Sequence, residues 1–167
     1  MEQPNYTFLK FISIIHRNTL RYYDAILEEY HIGGGQQFFL LHISQNEGIT
    51  MYDLAKLGNF DKGTVTKAVR KLEEQEYVQV RTDESDRRIR HLFTTEKARP
   101  IIQKIYQVRE LWKDALIEDM PITEELLYDI LQNMAKKSCE EKDRIDVYKR
   151  QDKISLSSEG AGSRAWQ

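Results

Sequence analysis

The hydrophobic positions lay out the elements of this chain before any motif is considered. Between residues 6 and 30, Phe8, Ile12, Ile15, Thr19, Tyr22, Ile26 and Tyr30 recur at alternating steps of four and three, which is one face of a helix. Phe11, Tyr23 and Leu27 widen that stripe. An aromatic stripe this wide on a helix of about 25 residues is expected to bury itself against more than its own chain. His31-Ile32-Gly33-Gly34-Gly35 is expected to end the helix. A second helix is expected over Gln36–Gln45, carrying Phe38, Phe39, Leu41 and Ile43 and stopping at Asn46-Glu47-Gly48.

Two short helices and a hairpin follow. Thr50-Met51-Tyr52-Asp53 starts like a capping box, with the Thr50 hydroxyl placed to accept the Asp53 N–H and the acid complementing the helix dipole. Leu54 and Leu57 are expected to face inward, and Gly58-Asn59 closes this helix. Asp61 or Asn59 can cap the next one, whose inward stripe is Val65, Ala68, Val69 and Leu72. That leaves Lys62, Gly63, Thr64, Thr66, Lys67, Arg70 and Lys71 outward, and small hydroxyls among long cations suit base edges and phosphates. After Glu76 the period changes to two: Tyr77–Arg81 and Ile89–Thr94 read as paired strands around the polar turn Thr82–Arg88.

The rest reads as helical and then irregular. From Thr95 a long helix places Ile101, Ile105, Val108, Trp112 and Ala115 on one face, with Pro100 in its first turns, where a missing N–H costs little. Met120-Pro121 breaks it, and a last helix from about Thr123 carries Leu127, Ile130, Leu131 and Met134. From Ile145 onward neither period is visible, and residues 146–167 read as a disordered tail or as sequence foreign to the domain. The fold class is therefore mainly α with a small β-hairpin wing: a winged helix-turn-helix between N- and C-terminal helices. Its expected divisions are 1–32, 33–95, 96–145 and the tail.

Composition narrows the function. With 40% hydrophobic and 31% charged residues, the 167-residue chain can bury a real core without metal or disulfide. A single cysteine, Cys139, excludes an internal disulfide framework and fits a reducing compartment. Neither a signal peptide nor a membrane span is legible, so the expected location is the cytoplasm. The net charge of −2 argues against nucleic acid, but its distribution does not. Residues 61–71 hold four bases against one acid, whereas residues 110–146 hold eleven acids against five bases. A local basic face matters more for phosphate contact than the sum over the chain.

In this order the elements resemble the MarR family of bacterial transcriptional regulators, over about residues 6–143. Two places carry the resemblance. Asp61-Lys62-Gly63-Thr64-Val65-Thr66-Lys67, continuing through Lys71-Leu72-Glu73-Glu74, is similar to the family's D-K-S-T-V-T-R and R-L-E-E patterns. Asp86-Arg87-Arg88 followed by Thr95-Glu96-Lys97 is similar to its D-x-R-x5-L-T-E-K-G wing. Gly63 for Ser, Thr94 for Leu and Ala98 for Gly are the departures. Gly63 lacks a hydroxyl that could reach a phosphate, which bears on sequence preference and not on groove entry.

The resemblance implies a homodimer with interlocked terminal helices. Phe8, Phe11, Ile12, Ile15, Leu127, Ile130, Leu131 and Met134 are the expected interface. It implies double-stranded DNA as partner, with recognition helices about 34 Å apart on a pseudo-palindromic operator. Arg88 is expected to enter the minor groove, with Asp86 holding its fork, the alternative being a solvated hairpin tip. Arg87 and Arg90 are expected to meet phosphate or solvent. Lys67 and Arg70 are candidates for base or phosphate, Thr64 and Thr66 for backbone or a thymine methyl, and Lys62 belongs to the same outward face.

Family likeness also implies a crevice for a small aromatic or phenolic ligand, lined by His16, Arg17 and Arg21 and walled by Tyr22, Tyr23 and Phe38. The alternative is that these aromatics are core and dimer interface. The four histidines are scattered away from Cys139, so neither a metal nor a cofactor is expected. No phosphate loop, nucleophile elbow or zincin motif is present, which sets an enzyme aside. The remaining alternative to a repressor is a winged-helix module for protein assembly, which would have no need of cations on both helix face and wing tip.

Overall fold

The structure, a computed structural model, describes the backbone of residues 7–159 and the side chains to residue 148. It divides into two compact units, with the boundary between Leu116 and Ile117.

In the first unit, α1 (Leu9–Leu27) ends in a 3-10 turn, Glu28–Tyr30, and His31 in the left-handed region at φ 57°. The stripe on α1 has two fates. Tyr23 and Leu27 are buried in the core, whereas Phe8, Phe11, Ile12 and Ile15 are 42–60% exposed. Helix α2 (Gly34–Gln45) buries Phe39, Leu40, Leu41 and Ile43. It begins two residues before the expected start, because Gly34 and Gly35 are its first turn and not a linker. The cause is tertiary. Gly34 is buried so close to α1 that a Cβ would meet the Leu20 carbonyl oxygen at 2.7 Å, and its N–H donates to Asp24 Oδ1 at 2.7 Å.

Strand β1 (Ile49–Thr50), α3 (Met51–Leu57) and α4 (Lys62–Glu74) follow, then β2 (Val78–Thr82) and β3 (Arg90–Thr94). The hairpin belongs to a three-stranded antiparallel sheet in the order β1-β3-β2, with Ile49 opposite Leu92 and Val80 opposite Leu92 on its other edge. The core gathers Leu54 of α3, the expected Val65, Ala68, Val69 and Leu72 of α4, Val78, Leu92, and Ile101, Ile105 and Val108 of α5 (Arg99–Ile117). Leu57 departs from expectation. It is 52% exposed, because α3 ends there and its final turn projects past the core. Pro100 lies in the first turn of α5, after a 3-10 turn, Glu96–Ala98, that buries Ala98.

The second unit is α6 (Glu124–Glu159), whose first turn is capped by the Thr123 hydroxyl, which accepts the Leu126 N–H at 3.3 Å. The helix runs through residues 146–159, where a disordered tail was expected. Nothing breaks it: residues 123–159 contain neither Gly nor Pro, and the absence of an apolar period marks an exposed helix as well as it marks a loop. The remainder of the expected tail, 160–167, lies outside the described residues, as does the residue 6 expected to start α1. Tyr128, Ile130 and Leu131 of α6 are exposed, and Leu127, Met134 and Cys139 are half-buried. No helix among the described residues is long and apolar enough to cross a membrane.

Candidate nucleic-acid interface

The reading head is built by two caps. The Thr50 hydroxyl accepts the Asp53 N–H at 3.1 Å and donates to Asp53 Oδ2 at 2.6 Å, fixing the first turn of α3. Asp61, not Asn59, caps α4: its Oδ1 accepts the Thr64 N–H at 2.9 Å and its Oδ2 the Thr64 hydroxyl at 2.6 Å. These bonds from Thr64 hold the Asp61 carboxyl below its ordinary value. Between the helices Asn59 turns at φ 51° and the Phe60 N–H returns to the Ala55 carbonyl at 2.9 Å. The two helices are thus pinned at both ends of the turn, as a helix-turn-helix requires.

The outward face of α4 divides by how far each side chain is already engaged. The side chains of Lys62 and Lys67 are exposed and make no hydrogen bond or ion pair among the described residues. Thr64 is held by Asp61, and the Thr66 hydroxyl donates to the Lys62 carbonyl at 2.8 Å. Arg70 pairs with Glu74 at 2.9 Å, one helical turn on, with both side chains mostly exposed. An exposed pair of this kind is weak and yields readily to a phosphate.

The wing tip is more rigidly built than its polar sequence suggests. Asp86 takes Arg88 in a fork: Oδ1 accepts the Arg88 Nε–H at 3.0 Å and its backbone N–H at 2.9 Å, while Oδ2 accepts from Nη2 at 2.8 Å. The Arg88 side chain nevertheless stays 90% exposed. The pair holds the Asp86 carboxyl below its ordinary value. Asp83, a residue the sequence reading passed over, nucleates the loop. Its Oδ1 accepts the Ser85 hydroxyl at 2.6 Å, the Ser85 N–H at 2.8 Å and the Asp86 N–H at 3.0 Å. Together with His91 these bonds keep Asp83 ionised far below the usual carboxylate range. Arg87 and Arg90 are exposed. The base of the wing is locked from outside the hairpin: Glu47 accepts both the Thr94 hydroxyl and the Thr94 N–H, the latter at 3.0 Å. Thr94, which departs from the family pattern, therefore has a polar partner of its own.

The residues expected around a ligand are engaged separately. His16 and Arg17 are exposed on α1, where Arg17 donates to the Ser13 hydroxyl at 2.7 Å. Tyr22 stacks on Trp112 at 4.4 Å, and the Trp112 indole N–H donates to the Thr19 hydroxyl at 2.9 Å. Phe38 packs on His42 at 4.2 Å and edge-on to Phe60 at 5.2 Å, and burial followed by the Arg109 guanidinium disfavours a charged His42. An open depression of about 540 Å³ lies elsewhere, lined by Asp24, Ala25, Glu28, His31, Ile32, Gly33 and Lys71.

Known proteins share this fold. The model of the MarR family matches residues 35–89, the span from α2 to the wing tip. The uncharacterized HTH-type transcriptional regulator YybA of Bacillus subtilis (strain 168) is 37% identical over 67 residues, which are 40% of this chain and 45% of that protein. The chain thus spans less than half of that relative. The HTH-type transcriptional regulator BilQ of Clostridium symbiosum (strain WAL-14163) is 25% identical over 137 residues, 81% of this chain and 93% of the relative. The crystal structure of a MarR transcriptional regulator from Methanosarcina mazei Go1 superposes with a TM-score of 0.73 at 28% identity, covering 80% of this chain and 96% of that one.

Proposed function

We propose, on the premise that this chain belongs to the MarR family, that it is a homodimeric, sequence-specific DNA-binding regulator that represses transcription from a pseudo-palindromic operator. The observation that carries this reading is the wing: Arg88 is forked on Asp86, yet its side chain is 90% exposed. A guanidinium oriented in advance and left in solvent is what a narrow minor groove selects. Lys62 and Lys67 supply cations on the exposed face of α4 for the adjacent major groove, and Arg70 joins them once a phosphate displaces Glu74. Thr64 and Thr66 present their methyl groups more than their hydroxyls, which are already bonded within the helix. Arg87 and Arg90 contribute phosphate contacts.

Dimerisation is assigned to the exposed halves of the terminal helices. Phe8, Phe11, Ile12 and Ile15 of the α1 segment leave too much apolar surface for a lone chain, as do Ile130 and Leu131 of α6, with Leu127 and Met134 on the same helix. A small aromatic or phenolic ligand, taken near Tyr22, Phe38, His16 and Arg17, would release the operator. The protein acts as a binding protein in the cytoplasm, without cofactor or catalysis.

The test is selection of bound duplex from a random pool by the purified chain, repeated at several salt concentrations. A pseudo-palindrome with half-sites one helical turn apart is expected. Arg88→Ala should then weaken binding by about tenfold or more with the fold intact. No enrichment, or binding that only vanishes steeply with salt, leaves non-specific phosphate contact and favours a protein-assembly module.

A further inference from the structure

We propose that His91 is the positioning residue of the wing: its doubly bound imidazolium ties the loop presenting Arg88 to the start of the helix-turn-helix, so that DNA affinity falls when His91 loses its proton. The inference rests on the reading of the wing as a DNA-contacting element given above.

His91 is the second residue of β3, opposite Thr50 of β1 and Arg81 of β2. Its Nδ1 lies 2.8 Å from the Gly48 carbonyl oxygen and its Nε2 3.0 Å from Asp83 Oδ2. Both partners are acceptors. A neutral imidazole has one N–H and one lone pair, so one of these contacts would set lone pair against lone pair. Only the imidazolium satisfies both. Gly48 can present its carbonyl this way because its backbone turns at φ 86°, in the left-handed region, while its N–H donates to the Leu92 carbonyl at 2.8 Å.

The connection runs without a gap. Gly48 immediately precedes β1, and Asp83 folds the loop through Ser85 and the Asp86 N–H. Asp86 in turn holds Arg88. Other charges near the ring are occupied. Arg81 is turned over the Phe93 ring at 4.5 Å and donates to Gln79, Glu47 accepts from Thr94, and Asp53, beyond Thr50, accepts the Thr50 hydroxyl. On the wing itself Glu84 and Arg90 are exposed, and Asp86 is taken by Arg88. Among the described residues Asp83 is therefore the charged group in direct contact with the ring.

The Gly48 carbonyl, then Asp83, hold the His91 proton above its ordinary value of 6.5. The sign follows. The link is complete below 6.5 and is lost as pH rises through that raised value.

The experiment measures affinity of the full chain for the duplex recovered by the selection, at constant ionic strength, from about pH 6 to about pH 9. Wild-type affinity should fall by about tenfold across that range. The profile should be nearly flat in His91→Gln, and flat again in Arg88→Ala, because the loss is routed through Arg88. A flat wild-type profile overturns the proposal. So does a slope that persists in Arg88→Ala, which would mean that the imidazolium acts on DNA as a charge alone. Ring resonances of His91 in DNA-free protein give a readout independent of the duplex. Their midpoint should lie above 6.5 and drop in Asp83→Asn, and a midpoint at or below 6.5 overturns the link itself. If no duplex is recovered, the regulator reading fails, and the ring titration still decides whether His91 joins the wing to Gly48.

Discussion

Two neighbouring glycines at the start of α2 should respond to the same substitution with opposite signs. A Cβ on Gly34 would lie 2.7 Å from the Leu20 carbonyl oxygen, 3.0 Å from its Cα and 3.2 Å from its carbonyl carbon, all backbone atoms of α1. These cannot rotate away as a side-chain tip could, so α1 must retreat as a body. Retreat also strains the 2.7 Å bond from the Gly34 N–H to Asp24. Forcing a methyl group into a packed interface costs about 1–3 kcal/mol. Against this, alanine in place of glycine favours a helix interior by at most about 1 kcal/mol, and less in a first turn. Gly34→Ala should therefore destabilise by about 1–2 kcal/mol, or several degrees in Tm for a chain of this length. A Cβ on Gly35 meets nothing within 4 Å, so Gly35→Ala keeps the propensity gain alone and should stabilise by up to about 1 kcal/mol. Urea unfolding followed by circular dichroism at one fixed protein concentration separates the two, since a dimer's stability depends on concentration. If Gly34→Ala proves as stable as Gly35→Ala, the close approach of α1 and α2 is not what selects glycine there.

Other expectations follow from the same contacts. Thr50→Ala removes the α3 cap and should cost about 1 kcal/mol in the same unfolding assay, with Thr50→Asn recovering most of it. Replacing Phe11 and Ile15, 58% and 48% exposed, by Glu should shift the chain from dimer to monomer in sedimentation without loss of helicity. The wing should be best ordered between two titrations. Asp83 contributes above its ordinary value of 3.8, and that part is lost only as pH falls through its lower folded value. His91 contributes below 6.5, and its part is lost as pH rises through its higher folded value. Exchange of the Ser85 and Asp86 amides, corrected for intrinsic rates, should be slowest between about pH 4 and about pH 6.5. Slowest exchange above about pH 8 would contradict that order.

What the sequence disclosed was whatever has a local cause. The stripe Val65, Ala68, Val69 and Leu72 is a helical period and appears where expected, as do the Thr50 cap and the Asp86–Arg88 pair, whose partners lie within three residues. Features with distant causes stayed hidden. A strand of two residues, Ile49–Thr50, has no period to detect, and its partners Leu92 and His91 are some forty positions away. Gly34 and Gly35 read as breakers because their helical state is imposed by α1. The helix past residue 145 was missed because periodicity reports burial and not helicity. His91 read as a stray histidine, since its importance lies in Gly48 and Asp83 jointly. Arg70 and Thr66 read as open outward contacts, but Glu74 and the Lys62 carbonyl already engage them.

Thr50 is at once the last residue of β1, paired with His91, and the cap of α3. A sheet and a helix that share a residue have no linker between them to absorb relative motion. Opening the β1–β3 edge must therefore fray the first turn of α3, and melting that turn must loosen the edge. The two should exchange as one cooperative unit, the Asp53 amide gaining and losing protection in step with the backbone amides around Thr50 and His91. Any event that displaces the wing as a whole is then transmitted to the helix-turn-helix through a joint without slack, and an uncoupled Asp53 amide would show that slack exists.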